Sequence, residues 1–163
     1  MLRRVIVGLA LVAAVALPSV AHAQKIVFLV RHAERADEPA RDQKDPALSA
    51  AGEARAVRLS SMLERAGIGA IYVSEYKRTQ DTAAPLAAKL KVKPEMVPAN
   101  TAALVAAMRA GHANDNVLIV GHTSTIPAIL KALSGVSLEI PESDYGNLIV
   151  VVPATRAVST IRF

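Results

Sequence analysis

Short apolar runs alternate with amphipathic segments along most of the chain. The run at residues 25–30 (KIVFLV) is apolar after its first residue, which is typical of a strand buried on both faces. Similar runs predict strands at residues 70–73 and 117–120, with a short strand at residues 93–97. Strands that alternate with helices predict a mostly parallel sheet covered by helices on both faces.

The segments between these strands have the features of helices. Residues 49–66 carry apolar positions at helical spacing, with Ser49 as a candidate N-cap and Gly67 as a stop signal. The same pattern, with Gly111 and Gly135 as the later stop signals, predicts helices at residues 77–90, 101–109 and 125–133.

The last two apolar runs have no helix between them. Residues 148–152 and 158–163 are joined only by residues 153–157, which predicts a hairpin and an antiparallel strand at one edge of the sheet. No internal repeat or low-complexity tract follows residue 24. The pattern therefore predicts one α/β domain over residues 24–163, a three-layer α/β/α sandwich.

The first 23 residues have the pattern of a secretory signal peptide. Two arginines precede an uncharged apolar run at residues 5–17, and residues 21–23 (Ala-His-Ala) have the small-x-small form that signal peptidase accepts. The run is shorter than the roughly 20 residues that span a bilayer, so cleavage is expected, with an uncleaved anchor as the alternative. The mature chain would begin at Gln24, contact the membrane only transiently and work in a periplasm or as a secreted protein.

Composition narrows the classes of function. A chain of 163 residues that is 52% apolar can build one domain with a core, but not two. The lack of cysteine excludes disulfides and thiol chemistry. The net charge of +5 suits an anionic ligand, whereas 3% aromatic residues leave little for base stacking. Nucleic acid is therefore not an expected partner.

The residues that could act in catalysis lie where three of the predicted parallel strands end. Arg31 and His32 follow the first strand, Arg78 lies shortly after the second, and His122 follows the fourth. Ligands bind beyond the carboxyl ends of such strands, so these side chains are expected to converge. Two guanidinium groups bind a dianion, and histidine can act as a nucleophile, acid or base near neutral pH. The set favours phosphoryl transfer.

Other chemistries fit the sequence less well. Ser74, Ser124 and Ser143 lack the G-x-S-x-G elbow of a serine hydrolase, and no glycine-rich phosphate loop is present. Metal binding by the two site histidines is not expected, because arginines flank them. The remaining histidine of the mature chain, His112, is expected to be a solvated loop residue.

Four segments of the chain form a recognisable set: V-R-H-A-E at residues 30–34, L-S-x-x-G at 48–52, S-E-Y-K-R-T-x-x-T at 74–82 and V-G-H-T at 120–123. Together they resemble the histidine phosphatase superfamily, the phosphoglycerate mutase-like proteins. Their order and spacing match across nearly all of residues 25–163, and the size is similar to that of the short bacterial members.

The resemblance implies a phosphoglycerate mutase-like fold and a phosphoric monoester hydrolase of the histidine acid phosphatase type, without metal or cofactor. It makes His32 the nucleophile that becomes a phosphohistidine. Arg31, Arg78 and His122 would bind the phosphoryl oxygens, with Thr123 as a further substrate-binding residue. Water would then release phosphate. The implied substrate is a phosphorylated small molecule, envelope component or phosphoprotein.

The resemblance leaves the proton donor open. Many relatives carry a glutamate acid in a long insertion, but here the region at residues 90–101 is short. Glu34, close to the nucleophile, is the first candidate. Glu142 and Asp144 are alternatives, because an antiparallel strand starting near residue 148 would begin on the active-site face. A carboxylate near arginines tends to stay ionised, which makes it a weaker acid.

Further departures bear on function. Ala33 stands where the family commonly has glycine, and Glu38 stands where many relatives have a phosphate-contacting asparagine. Without the insertion, a mutase is not expected and the site should be open and shallow. The alternative function is a phosphate-binding module with little or no turnover.

Overall fold

Six strands and four helices follow one another in a computed structural model that describes residues 26–36, 45–98 and 100–163. The predicted signal peptide at residues 1–23 and the position of Glu38 lie outside the described residues. In chain order the elements are β1 (Val27–Arg31), α1 (Ala50–Leu63), β2 (Ile68–Val73), α2 (Lys77–Leu90), β3 (Glu95–Met96), α3 (Thr101–Gly111), β4 (Asn116–Gly121), α4 (Thr125–Ser134), β5 (Asn147–Val152) and β6 (Ala157–Arg162).

The strands form one sheet in the order β3-β2-β4-β1-β5-β6. β1 pairs in parallel with β4, β4 with β2, and β2 with β3. β5 pairs antiparallel with β1 on one side and with β6 on the other. The predicted sheet, mostly parallel with antiparallel pairing at one edge, is confirmed.

Helices cover both faces of the sheet, and the alternation of side chains along β1 shows how. Phe28 and Val30 belong to a buried cluster that includes residues of α1 and α2. Val27 and Leu29 belong to a second cluster that includes residues of α3 and α4. All four side chains are buried, which explains the continuous apolar run of this strand. The predicted three-layer sandwich is confirmed.

Most element bounds agree with the sequence patterns. α2 has the bounds predicted, and the Ser49 hydroxyl caps α1 by accepting from the Gly52 amide at 3.1 Å. α1 ends at Leu63, three residues early, because the Ala66 amide bonds to the Leu63 carbonyl in a closing turn. None of the helices among the described residues is long and apolar enough to span a membrane.

Gly52 brings α1 against the segment that follows β1. A Cβ atom at this position would lie 2.1 Å from the Glu34 carbonyl oxygen, a distance that no side chain tolerates. The Ser49 amide also bonds to that oxygen at 2.9 Å. The glycine of the L-S-x-x-G segment is therefore required where the helix meets the residues next to the predicted nucleophile.

Candidate active site

The residues predicted to carry the chemistry converge at the carboxyl ends of the parallel strands. Arg31 ends β1, Arg78 lies in the first turn of α2, and His122 follows β4 directly. They share an open cleft of about 350 Å³. Its lining comprises Arg31, His32, Arg35, Tyr76, Arg78, His122, Thr123, Ser124 and Glu142.

His32 is held as a neutral ring. Its Nδ1 lies 2.8 Å from the Ala33 carbonyl oxygen, so Nδ1 donates its hydrogen and Nε2 keeps its lone pair. Burial, and then the charges of Arg31 and Arg78, lower the pKa of His32 to about 4, against the opposing effect of the Ala33 bond. An unprotonated Nε2 at neutral pH is what a histidine nucleophile requires.

The turn that carries His32 is tied to α2 by a buried hydroxyl. Thr82 Oγ1 accepts from the Ala33 amide at 2.9 Å and donates to the Arg78 carbonyl at 2.6 Å. Thr82 is 2% exposed. The sequence motif contains this threonine, but its contacts with the turn beside His32 become visible only in the fold.

One edge of the Arg31 guanidinium is fixed by the loop before β5. Nη1 donates to the Pro141 carbonyl at 3.2 Å, to the Asp144 carbonyl at 3.4 Å, and to the Glu142 carbonyl. The guanidinium carbon lies 4.2 Å from the centroid of the Tyr145 ring. Nε, however, is buried without a hydrogen-bond partner within the described residues.

Arg78 is held in a similar way. Its guanidinium carbon lies 4.2 Å from the centroid of the Tyr76 ring, and Nη1 is 3.6 Å from Asp45 Oδ1. Its Nε is also buried without a partner in the described part of the chain. Four buried side-chain nitrogen or oxygen atoms in the described part of the chain have no hydrogen-bond partner, and two of them are the Nε atoms of Arg31 and Arg78.

His122 lies beside His32, with the two ring centroids 5.3 Å apart. Its Nε2 is 2.9 Å from Ser74 Oγ, so Nδ1 is the nitrogen left for the cleft. Burial, followed by the charge of Arg78, lowers the pKa of His122 to about 4. The ring is therefore neutral at pH 7. The amides of Thr125 and Ile126, which open α4, bond to the His122 carbonyl.

The sequence profile of the histidine phosphatase superfamily (branch 1) matches residues 27–101, which include Arg31, His32 and Arg78. Over these residues the chain is similar to the histidine phosphatase superfamily. His122 lies beyond the matched residues, and the sheet brings it into the cleft because β4 pairs with β1. No curated protein matches the chain significantly.

Solved structures share the histidine phosphatase fold with this chain. The protein histidine phosphatase SixA, solved with tungstate, has a TM-score of 0.64 at 16% identity, covering 83% of this chain and 94% of its own. SixA from Agrobacterium tumefaciens has a TM-score of 0.62 at 22% identity, covering 85% and 97%. A mycobacterial glucosyl-3-phosphoglycerate phosphatase has a TM-score of 0.64 at 14% identity, covering 85% and 98%.

The first candidate proton donor, Glu34, is held in an ion pair. Arg55 Nε lies 2.9 Å from both carboxylate oxygens of Glu34, and Nη2 lies 2.6 Å from Oε1. The Arg55 hydrogen bonds hold the pKa of Glu34 below its usual value. Glu34 also does not line the cleft. The structure therefore disfavours its predicted role, because an ionised carboxylate has no proton to give.

The other two candidates are placed differently. Asp144 accepts from Asn147 Nδ2 at 2.6 Å, from Arg162 Nη1 at 3.1 Å and from the Gly146 amide at 3.3 Å. Burial acts to raise the pKa of Asp144, but the Arg162 and Gly146 hydrogen bonds outweigh it, and the pKa falls below its usual value. Of the three candidates, Glu142 is the one that lines the cleft.

His112 is not the solvated loop residue that the sequence suggested. It follows α3, with Nδ1 2.8 Å from Asp115 Oδ2 and Nε2 2.8 Å from Glu95 Oε1. The Asp115 hydrogen bond is the main cause of a raised pKa. The expectation was wrong because Glu95, on β3, reaches His112 only through the tertiary fold. Across the described residues, no group of three or more His, Cys, Asp or Glu side chains is arranged to hold a metal ion.

Proposed function

We propose that this chain is a phosphatase that transfers a phosphoryl group from a phosphorylated substrate to His32 and then to water. One observation carries the proposal: Arg31, Arg78 and the neutral His32 line the same open cleft. Two guanidinium groups beside one histidine would bind phosphoryl oxygens through charge-assisted hydrogen bonds.

The contacts support a two-step reaction. His32 Nε2 forms a bond to phosphorus while the bond to the leaving group breaks, and the leaving group departs with that electron pair. Arg31 and Arg78 stabilise the charge on the equatorial oxygens. Water then attacks the phosphohistidine, releasing inorganic phosphate and returning His32 to its neutral form. Neither step as written uses a metal or cofactor.

Glu142 is our candidate for the group that protonates the leaving group, because it is the candidate that lines the cleft. Glu142→Gln should then spare p-nitrophenyl phosphate, whose leaving group is stable as an anion. It should slow an alkyl phosphate, whose alkoxide needs a proton. Equal loss on the two substrates would contradict this role.

Substrate class and location belong to the same proposal. The cleft is open, which suits a phosphoryl group on a small molecule, an envelope component or a protein. The names of two structural neighbours, a protein histidine phosphatase and a glucosyl-3-phosphoglycerate phosphatase, support phosphatase activity and span two of these classes. The signal pattern at residues 1–23 supports export. Cell fractionation with N-terminal sequencing should find a periplasmic or secreted chain that begins at Gln24.

The decisive experiment measures phosphate release from p-nitrophenyl phosphate by purified protein, with EDTA and with vanadate. Turnover should survive EDTA, fall with vanadate and disappear in His32→Ala. Arg31→Ala and Arg78→Ala should lose most activity, whereas Arg109→Ala, an exposed arginine of α3, serves as the matched control. Activity that persists in His32→Ala would refute the phosphohistidine.

A phosphate-binding module with little or no turnover is the second candidate function, because two of the three candidate acids are held in ion pairs. It predicts that vanadate raises the melting temperature without any steady release of phosphate. Loss of that stabilisation in Arg31→Ala would locate the bound anion in the same cleft. Steady turnover by the wild-type protein would rule this alternative out.

A further inference from the structure

Two buried hydroxyl groups stand behind His122. Ser74 follows β2 directly and is 6% exposed, and its Oγ lies 2.9 Å from His122 Nε2. Thr79, in the first turn of α2, is fully buried, and its Oγ1 lies 3.0 Å from Ser74 Oγ. Neither residue lines the cleft, so neither would touch a substrate.

Hydrogen bonds run from Thr79 through Ser74 to His122, and their hydrogen atoms can be placed in two arrangements. In the first arrangement, Thr79 Oγ1 accepts from the Ser74 amide at 3.1 Å and donates to the Tyr76 carbonyl at 2.8 Å. It can then accept the hydrogen of Ser74, whose own Oγ accepts from the Tyr76 amide at 3.4 Å. With its hydrogen used, Ser74 can only accept from His122. The ring hydrogen of His122 is then on Nε2, and Nδ1 carries a lone pair toward the cleft.

A second arrangement satisfies the same atoms. Thr79 turns its hydrogen to Ser74 Oγ, and Ser74 turns its hydrogen to His122 Nε2. The Tyr76 carbonyl keeps the Thr79 amide at 3.1 Å as a donor. The ring stays neutral, because Nε2 gives its proton to water and Nδ1 takes one from water. Only this arrangement presents an N–H from His122 to an anion in the cleft.

We propose that Ser74 and Thr79 are positioning residues that move the ring hydrogen of His122 from Nε2 in the empty site to Nδ1 when a phosphoryl group binds. The inference rests on the proposed function for the nature of the anion. Because burial and Arg78 lower the pKa of His122 to about 4, the ring is neutral at neutral pH in the empty site. This change of tautomer, called the switch below, lets the neutral His122 ring become a hydrogen-bond donor to the phosphoryl oxygens without taking up a net proton.

The test is histidine nitrogen NMR on the full protein at pH 7.5, with and without vanadate. Nitrogen shifts distinguish the two neutral tautomers from the imidazolium, and His122→Gln assigns the signals. Wild-type protein should carry the hydrogen on Nε2 when free and on Nδ1 when vanadate is bound. In Ser74→Ala the tautomer should no longer change, and vanadate should bind about tenfold more weakly, as expected for one lost buried hydrogen bond.

Conservative variants separate positioning from folding. Ser74→Thr keeps the hydroxyl and should restore vanadate affinity. Thr79→Val keeps the shape of the side chain but removes the hydroxyl that bonds to Ser74 Oγ. The same NMR and vanadate measurements are made on this variant if Ser74→Ala does not fold. Ser134→Ala, a buried serine that donates to the Leu130 carbonyl at 2.8 Å in α4, is the control and should leave the His122 signals unchanged.

The possible outcomes separate the switch from the proposed function. An imidazolium in the bound state, one tautomer in both states, or full vanadate affinity in Ser74→Ala would overturn the switch. Turnover by wild-type protein without a tautomer change overturns the switch and leaves the phosphatase standing. A tautomer change on vanadate binding without any turnover supports the switch and refutes the phosphatase.

Discussion

Replacing Glu34 by glutamine tests whether this carboxylate stabilises the fold or donates a proton. The substitution keeps the shape of the side chain and removes the charge that faces Arg55. The structure assigns the carboxylate to an ion pair that ties the segment after β1 to α1. We therefore expect Glu34→Gln to lower stability and to leave turnover nearly intact.

The expected loss of stability follows from the geometry of the pair. The three close contacts between Arg55 and Glu34 span 2.6–2.9 Å, and the two side chains are 23% and 22% exposed. Exposed ion pairs contribute about 0.2–1 kcal/mol, and hydrogen bonds to buried charges about 1.5–3 kcal/mol. A mostly buried pair with two-pronged geometry should lie between them, at about 1–2 kcal/mol.

The pH dependence has a definite sign. Arg55 holds the pKa of Glu34 below its usual value, so the folded state binds the proton less tightly than the unfolded chain. The stabilisation is present above the unfolded pKa of about 4.3 and is lost as the pH falls through the lower folded value. The difference between wild-type protein and Glu34→Gln should therefore shrink in acid.

Urea denaturation followed by circular dichroism at pH 7 and pH 3 measures the stability, and phosphate release measures turnover. Glu64→Gln, which breaks the exposed pair with Lys89, is the control and should change neither. Removal of a general acid typically costs about 10²–10⁴ in rate. A loss of that size in Glu34→Gln, with unchanged stability, would refute the reasoning and make Glu34 the proton donor.

Three further predictions follow from contacts outside the cleft. Thr82→Val leaves the Ala33 amide without its acceptor and should cost about 1–3 kcal/mol in urea denaturation. It should also lower kcat more than it changes KM, and an unchanged kcat would count against the role of this turn. Leu29→Ala, at a fully buried position, should cost about 2–5 kcal/mol, and a loss below about 1 kcal/mol would contradict the packing described. His112 has a raised pKa, so its stabilisation is complete below the unfolded pKa of about 6.5 and is lost as the pH rises through the folded value. His112→Gln should therefore destabilise the protein at pH 5.5 more than at pH 9, and an equal cost at both pH values would disprove the ion pairs.

The cleft could be predicted because its residues sit next to features that the sequence shows directly. Arg31, His32 and His122 adjoin apolar runs whose ends are visible in the sequence, and Arg78 opens a helix whose bounds were predicted correctly. Parallel strands bring such ends together whatever the details of packing. Local pattern was sufficient for this part of the site.

The partners of these residues could not be predicted in the same way. Glu34 meets Arg55, which is 21 positions away, because Gly52 lets α1 approach the segment after β1. Ser74 lies 48 positions from His122 and meets it because β2 pairs with β4. Such contacts depend on how helices and strands pack, which local periodicity does not determine.

The unpaired Nε atoms of Arg31 and Arg78 also bear on how this protein resists unfolding. In the native state with an empty cleft, these two donors are buried without a hydrogen-bond partner, whereas in the unfolded chain both of them bond to water. An oxyanion bound in the proposed site would offset that disadvantage, because a ligand at 100 times its Kd stabilises the native state by about 2.7 kcal/mol. The phosphate concentration of the surroundings would then help to set how long the protein survives heat and proteases. In the proposed phosphatase, the arrangement that recognises the phosphoryl group would thus also link the lifetime of the protein to the supply of that ligand.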